Sequence, residues 1–137
     1  MKPKDETKPY ESRLMEDLHP KLQEAYLYAE KKFNALHPNV NVFRTCTYRN
    51  NAMQEIYFKK RPKITNAKAG QSPHNYYPSL AFDIAFLENK KLSYNPKYFK
   101  EFADILQFYK FKITWGGNFK SLPDAPHFEL TNWKQLI

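Results

Sequence analysis

Between Leu80 and Phe86 the large apolar residues Leu80, Phe82, Ile84 and Phe86 alternate with Ala81, Asp83 and Ala85. This period of two predicts a strand with one face on a core. Asp83 then points to the other face, between two alanines, where another group has room to approach. Upstream, Leu22, Ala25, Tyr26, Ala29, Phe33 and Leu36 recur at helical spacing, with Pro20 in the first turn and Pro38 and Asn39 beyond the end. Residues 40–49 (VNVFRTCTYR) alternate as a strand, and residues 50–60 predict a shorter helix capped by Asn50 or Asn51. A basic loop, 61–79, leads into the Asp83 strand. After a turn over 87–96, a third helix is predicted across 96–111, with Phe99, Phe102, Ala103, Leu106 and Tyr109 on one face. A short strand at ITW, a turn at Gly116 and Gly117, a loop and a strand at His127–Leu130 finish the chain. Separate helices and few strands predict an α+β fold, a small antiparallel sheet flanked by helices.

Length and composition narrow this picture. A chain of 137 residues supports one domain, 1–137, in which residues 1–13 read as a polar arm, mobile or lying along the surface. Aromatic residues are 17% of the chain, which supplies core volume and excludes disorder throughout. Lys and Arg exceed Asp and Glu by 22 to 14, a net charge of +8 that suits anionic partners: nucleic acid, anionic lipid or an acidic wall polymer. A plain basic surface accounts for that charge equally well. Cys46 is the single cysteine, so an intramolecular disulfide is excluded, and a small buried apolar role is expected. The opening residues lack an apolar stretch of the secretory kind and no run reaches membrane-spanning length. The expectation is synthesis in the cytoplasm, with no stable membrane insertion.

Four histidines are present, and two, His19 and His37, precede prolines at helix boundaries, where caps or surface groups are expected. His74 comes from the loop feeding the Asp83 strand. In PHFEL, Phe128 and Leu130 face the core while His127 and Glu129 face the other way. If the two strands are neighbours, His74, Asp83 and His127 converge, a donor set suited to zinc with one position open. Hydrogen-bonded structural histidines fit the same spacing. Asp124 reads by itself as a turn cap after Pro123, Arg49 as a surface ion pair and Ser72 as a cap before Pro73.

The segments QSPHNYYPSLAFDIAF and WGGNFKSLPDAPHFEL resemble the zinc peptidase family of D-Ala-D-Ala carboxypeptidases and phage L-alanyl-D-glutamate endolysins. The family's motifs are S-x-H-(x)n-D and [ED]-x-x-H. Ser72, His74 and Asp83 match the first, Asp124 and His127 the second, and TYRNNAMQ is similar to the family's substrate segment at Arg49 and Gln54. The resemblance runs in order from about Arg44 to Leu130. It implies Zn2+ held by His74, Asp83 and His127 on one sheet face, Asp124 as general base, and Arg49, Ser72 and Gln54 at the substrate. Glu129 would orient His127. One departure stands out: eight residues separate His74 from Asp83, where the commoner form HNYGLAFD has six. The insertion keeps strand parity, so the loop over the site is expected to differ.

What the resemblance implies is a monomeric zinc peptidase that cuts peptidoglycan stem peptides at the L-Ala–D-Glu bond, as a lysis enzyme reaching the wall after release from the host cytoplasm. Within the family the rival is a D,D-carboxypeptidase. A basic nucleic-acid-binding domain would account for the charge and aromatic content but not for the ordered His and Asp set, so no nucleic-acid partner is expected. A wall-binding module with a structural zinc would need a closed fourth position.

Overall fold

In the computed structural model, which describes residues 7–137, α1 spans Pro20–Leu36. Its start is set by Pro20 at the first helical position and by His19, whose Nδ1 accepts the Lys21 N–H at 3.1 Å. Asn50 caps α2 (Asn51–Lys59), its side chain accepting the Met53 N–H at 3.0 Å. Asn95 caps α3 (Pro96–Leu106) in the same way, through the Lys97 N–H.

Among the described residues, five strands form one antiparallel sheet: β1 Val40–Cys46, β2 Ala81–Glu88, β3 Lys91–Ser93, β4 Ile113–Trp115 and β5 His127–Leu130. Their main order is β1-β2-β5-β4, with β3 also paired to β2. The fold is therefore α+β, as the patterning predicts. Leu22, Ala25, Tyr26, Ala29 and Phe33 of α1 and Phe99, Phe102 and Leu106 of α3 cover one face of the sheet. Against them lie Phe82, Ile84 and Phe86 of β2 and Phe128 and Leu130 of β5. Phe82 stacks on Phe128 at 5.4 Å between ring centres, and Tyr26 meets Phe82 edge-on at 5.5 Å. Each such ring taken from water stabilises the fold by roughly 1.5–3 kcal/mol.

The structure departs from the sequence expectations in four places. The third helix stops at Leu106 instead of 111, because the chain must reverse there to lay Ile113 beside Leu130. Residues 87–96 hold a hairpin as well as a turn: Asn89 and Lys90 have φ of 51° and 69°, the twist that returns β3 along β2. The first strand ends at Cys46 instead of 49, after an irregularity between Arg44 and Cys46. Residues 47–49 pair with the N-terminal arm instead: Thr47 N–H donates to Ser12 O (2.6 Å), Ser12 N–H donates to Tyr48 O (2.8 Å), and Glu11 bridges Arg49. The arm from residue 7 onward is thus built into the domain, and residues 1–6 lie outside the described residues. No helix among the described residues is long and apolar enough to cross a membrane.

Candidate active site

Asp83 and His127 are direct register partners across β2 and β5, on the sheet face opposite α1 and α3. The alternation of Phe82 and Ile84 into the core, and of Phe128 and Leu130 likewise, is what turns Asp83 and His127 together. His74 arrives from a 3-10 turn, Pro73–Asn75. Ser72 caps that turn: its Oγ accepts the His74 N–H at 3.2 Å, while Asn75 Oδ1 accepts the Ser72 N–H at 3.1 Å. Asn75 also donates to Arg49 O (2.9 Å), and Arg49 N–H donates to His74 O (2.9 Å), so the Arg49 and His74 segments are held side by side.

His74 Nε2 lies 3.2 Å and His127 Nδ1 3.1 Å from the same oxygen, Asp83 Oδ1. Each ring's other nitrogen has a fixed acceptor. His74 Nδ1–H donates to Thr47 O at 2.7 Å, and His127 Nε2–H donates to Glu129 Oε1 at 2.7 Å. Glu129 is fixed in turn by the Trp133 indole N–H at 3.0 Å. In neutral rings these bonds leave two lone pairs facing a carboxylate oxygen, an arrangement that repels unless a cation sits among them. A proton on an imidazole is one such cation; a divalent metal is the other. Imidazole nitrogen and carboxylate oxygen are the donors zinc prefers, with hydrogen-bonded outer nitrogens of this kind, so the residues fit the metal.

The charges agree. Burial works against ionisation of Asp83, but the adjoining His74 and His127 outweigh it and hold its carboxyl well below the usual carboxylate range. Burial likewise disfavours the protonated form of His127, yet hydrogen bonds to Asp83 and Glu129 raise its pKa to about 10. Asp124 is exposed to the cleft, and partial desolvation, followed by the Asp83 charge, raises its carboxyl above the ordinary value.

Among the described residues, two clusters bring ligand atoms within 4.8 Å of one another: Asp83 with Asp124 and His127, and Asp83 with Cys46 and His74. Asp83 is common to both. Cys46 is the weaker donor, because its Sγ lies 3.7 Å from His74 Nδ1, the nitrogen turned to Thr47, and burial pushes its thiol pKa well up.

Gly116 places Asp124. Asp124 N–H donates to Gly116 O at 2.8 Å, and His127 N–H donates to Asp124 O at 3.1 Å. A Cβ on Gly116 would sit 2.4 Å from Asp124 O and 2.9 Å from His127 Cβ, so only glycine permits this approach.

Arg49 lies at the cleft with its donors turned to protein groups. Nε donates to Glu11 Oε1 (3.0 Å), Nη1 donates to Gln54 Oε1 (3.1 Å), and Nη2 is 3.6 Å from Asp83 Oδ2. Gln54 is fully buried and also donates to Ala67 O at 2.9 Å, so here it braces Arg49 and the loop before His74. Around these groups lies a cleft of about 690 Å³, walled by residues of the 63–74 and 119–124 loops and by Tyr57, Trp133 and Lys134.

Residues 75–82 of the long connection between His74 and Asp83 line none of the cleft. Tyr77 Oη–H donates to Asp17 Oδ1 (2.8 Å) and Ser79 N–H donates to Asp17 O (2.8 Å), which ties the connection to the segment before α1. Glu11, Tyr57, Trp133, Gly116 and the Thr47 carbonyl escape the sequence reading. Trp133, four residues beyond Glu129, left a faint spacing signal; the others left none, because their roles depend on long-range pairing.

A family described as D-alanyl-D-alanine carboxypeptidase matches residues 65–130, the span holding Ser72, His74, Asp83, Asp124 and His127. The crystal structure of the L-Ala D-Glu endopeptidase ChiX of Serratia marcescens shares the fold, with a TM-score of 0.67 and 22% identity over 90% of this chain and 87% of that one. The resemblance read in the sequence is borne out by the family match and by this fold.

Proposed function

We propose that this chain, with the fold and family match of the D-alanyl-D-alanine carboxypeptidase-like peptidases, is a zinc peptidase that cleaves peptidoglycan stem peptides at the L-Ala–D-Glu bond. The observation that carries the reading is the pair of imidazole lone pairs turned onto Asp83 Oδ1, beside Asp124 in an open cleft. His74 Nε2, Asp83 and His127 Nδ1 would hold the metal, and Thr47 and Glu129 fix the tautomers that leave those nitrogens free. When bound, zinc supplies positive charge that polarises a scissile carbonyl and acidifies water.

The chain's own groups do the rest. Asp124, open to the cleft and with a raised carboxyl pKa, takes a proton from the attacking water and returns it to the leaving amine nitrogen. Arg49, held by Glu11 and Gln54, keeps a guanidinium beside Asp83 and presents positive charge to a substrate carboxylate or carbonyl. Ser72, at the cleft wall, offers its hydroxyl to the substrate backbone. A lysis role on the wall belongs to the same reading, and the net charge of +8 supports it by favouring an anionic envelope.

The family description favours a second reading, removal of a terminal D-Ala by the same groups. Mass spectrometry of purified peptidoglycan after digestion separates the two. Cleavage at L-Ala–D-Glu frees new D-Glu amino termini, whereas D,D-carboxypeptidase action releases only free D-alanine. An enzyme carrying stoichiometric zinc that releases neither would overturn the proposal.

A further inference from the structure

On the side of the molecule away from the cleft, aromatic rings and lysines alternate over the outer face of α1 and the loop after α3. Tyr28 of α1 packs on Tyr109 at 4.7 Å between ring centres, and Tyr109 meets Phe111 at 5.8 Å. Lys21 and Lys110 stand over the Phe111 ring at 5.3 and 5.2 Å, and Lys32 over Tyr28 at 5.2 Å. Phe108, in the loop after α3, is 90% exposed, and Leu27 of α1, next in sequence to Tyr28, is 53% exposed. Of Lys21, Lys32, Lys110 and Lys112, only Lys110 is ion-paired among the described residues, to Glu24. Core packing accounts for Tyr109, which lies against the α1 and α3 core, but for neither Phe108 nor Leu27, which stand outside it.

We propose that this face docks reversibly on an anionic lipid bilayer, with Phe108 and Leu27 entering the headgroup boundary and Lys21, Lys32 and Lys112 lying against the phosphates. The composition is that of an interfacial surface: apolar tips ringed by unpaired ammonium groups and phenolic side chains. Charge complementarity selects an anionic surface, and the apolar tips select lipid over a purely polar polymer. Stacking on nucleobases or sugar rings is disfavoured because lysines already stand over the Phe111 and Tyr28 rings. Docked this way, the protein holds its cleft away from the bilayer, since His74, Asp83 and His127 lie on the sheet face opposite α1 and α3. The inference concerns a separate surface and stands or falls independently of the proposed peptidase activity.

The test is co-sedimentation of the full chain with vesicles of phosphatidylglycerol and phosphatidylcholine in equal parts, and with phosphatidylcholine alone. The protein should partition to the anionic vesicles and release as salt rises, the Debye length shrinking from roughly 8 Å at physiological strength to about 3 Å at 1 M. Phe108→Ser, which leaves the charge unchanged, should weaken partition by about tenfold or more, from the loss of one buried ring. Lys112→Glu should weaken it by at least roughly fivefold. Phe108 is almost fully exposed, so its variant should melt with the parent, and Leu27→Ser provides an independent second probe. Equal binding to both vesicle types overturns the proposal, as does a Phe108→Ser protein that partitions like the parent. Binding of an oligonucleotide or soluble glycan strands with the same dependence on Phe108 overturns the choice of lipid.

Discussion

The Glu11 carboxylate joins Arg49 to Tyr57: Oε1 accepts from Arg49 Nε and Oε2 from the Tyr57 hydroxyl, each at 3.0 Å. The Arg49 guanidinium lies over the Tyr57 ring, 4.6 Å from its centre. A residue of the N-terminal arm thereby helps build the cleft. Glu11→Gln keeps the shape and removes the charge, and because the pair is partly solvated the loss should be modest, about 1 kcal/mol or less. Arg49→Lys should do more harm, since one ammonium cannot reach Glu11, Gln54 and Asp83 together. Urea denaturation of both variants ranks them, and the opposite order would mean that the fork geometry is unimportant.

His74→Ala, Asp83→Ala and His127→Ala should each lose zinc and activity together, because three protein donors leave no spare ligand. Asp124→Ala should retain zinc while turnover falls by roughly 10²–10⁴-fold, the usual range for a lost proton-transfer group. Metal analysis alongside stem-peptide hydrolysis reads both quantities. A zinc-free Asp124→Ala protein would move that carboxylate among the ligands.

The pKa of His127, about 10 in the metal-free protein, predicts a pH dependence. Folding favours its protonated form, so the associated stability is complete below the unfolded value of about 6.5 and is lost as pH rises towards the folded value. After chelation the protein should therefore become easier to unfold between pH 6.5 and 10, by up to about 1.4 kcal/mol per pH unit. Zinc held there would displace that proton, so its affinity should rise by up to about tenfold per unit across the same interval. Urea titrations with EDTA would show this, and His127→Asn should flatten the dependence. An unchanged slope in that variant would assign the effect to another group.

Gly116→Ala should disable the site without replacing a proposed ligand. The added Cβ meets Asp124 O and His127 Cβ, so the 119–124 loop must move outward. The expected cost is about 1–3 kcal/mol of stability, typical of overpacking, with hydrolysis lost more completely than zinc. Retained hydrolysis at wild-type rate would show that the position of Asp124 tolerates the shift.

Much of the architecture is decided locally. The alternation through Leu80–Phe86 and His127–Leu130 places Asp83 and His127 off the core face whatever the rest of the chain does, because side chains along a strand change face at every residue. The helical spacing of Leu22 to Phe33 and the caps at His19, Asn50 and Asn95 likewise depend on near neighbours, and the ordered Ser72, His74, Asp83, Asp124 and His127 set was legible before any fold was known. What local pattern cannot carry is which strands meet. The register that sets Asp83 against His127, the Thr47 carbonyl that selects the His74 tautomer, and the arm that brings Glu11 to Arg49 join residues 44, 27 and 38 positions apart. Such contacts form only when burial of Phe82, Phe128 and Tyr26 draws the elements together, which is why the tertiary structure alone decided them.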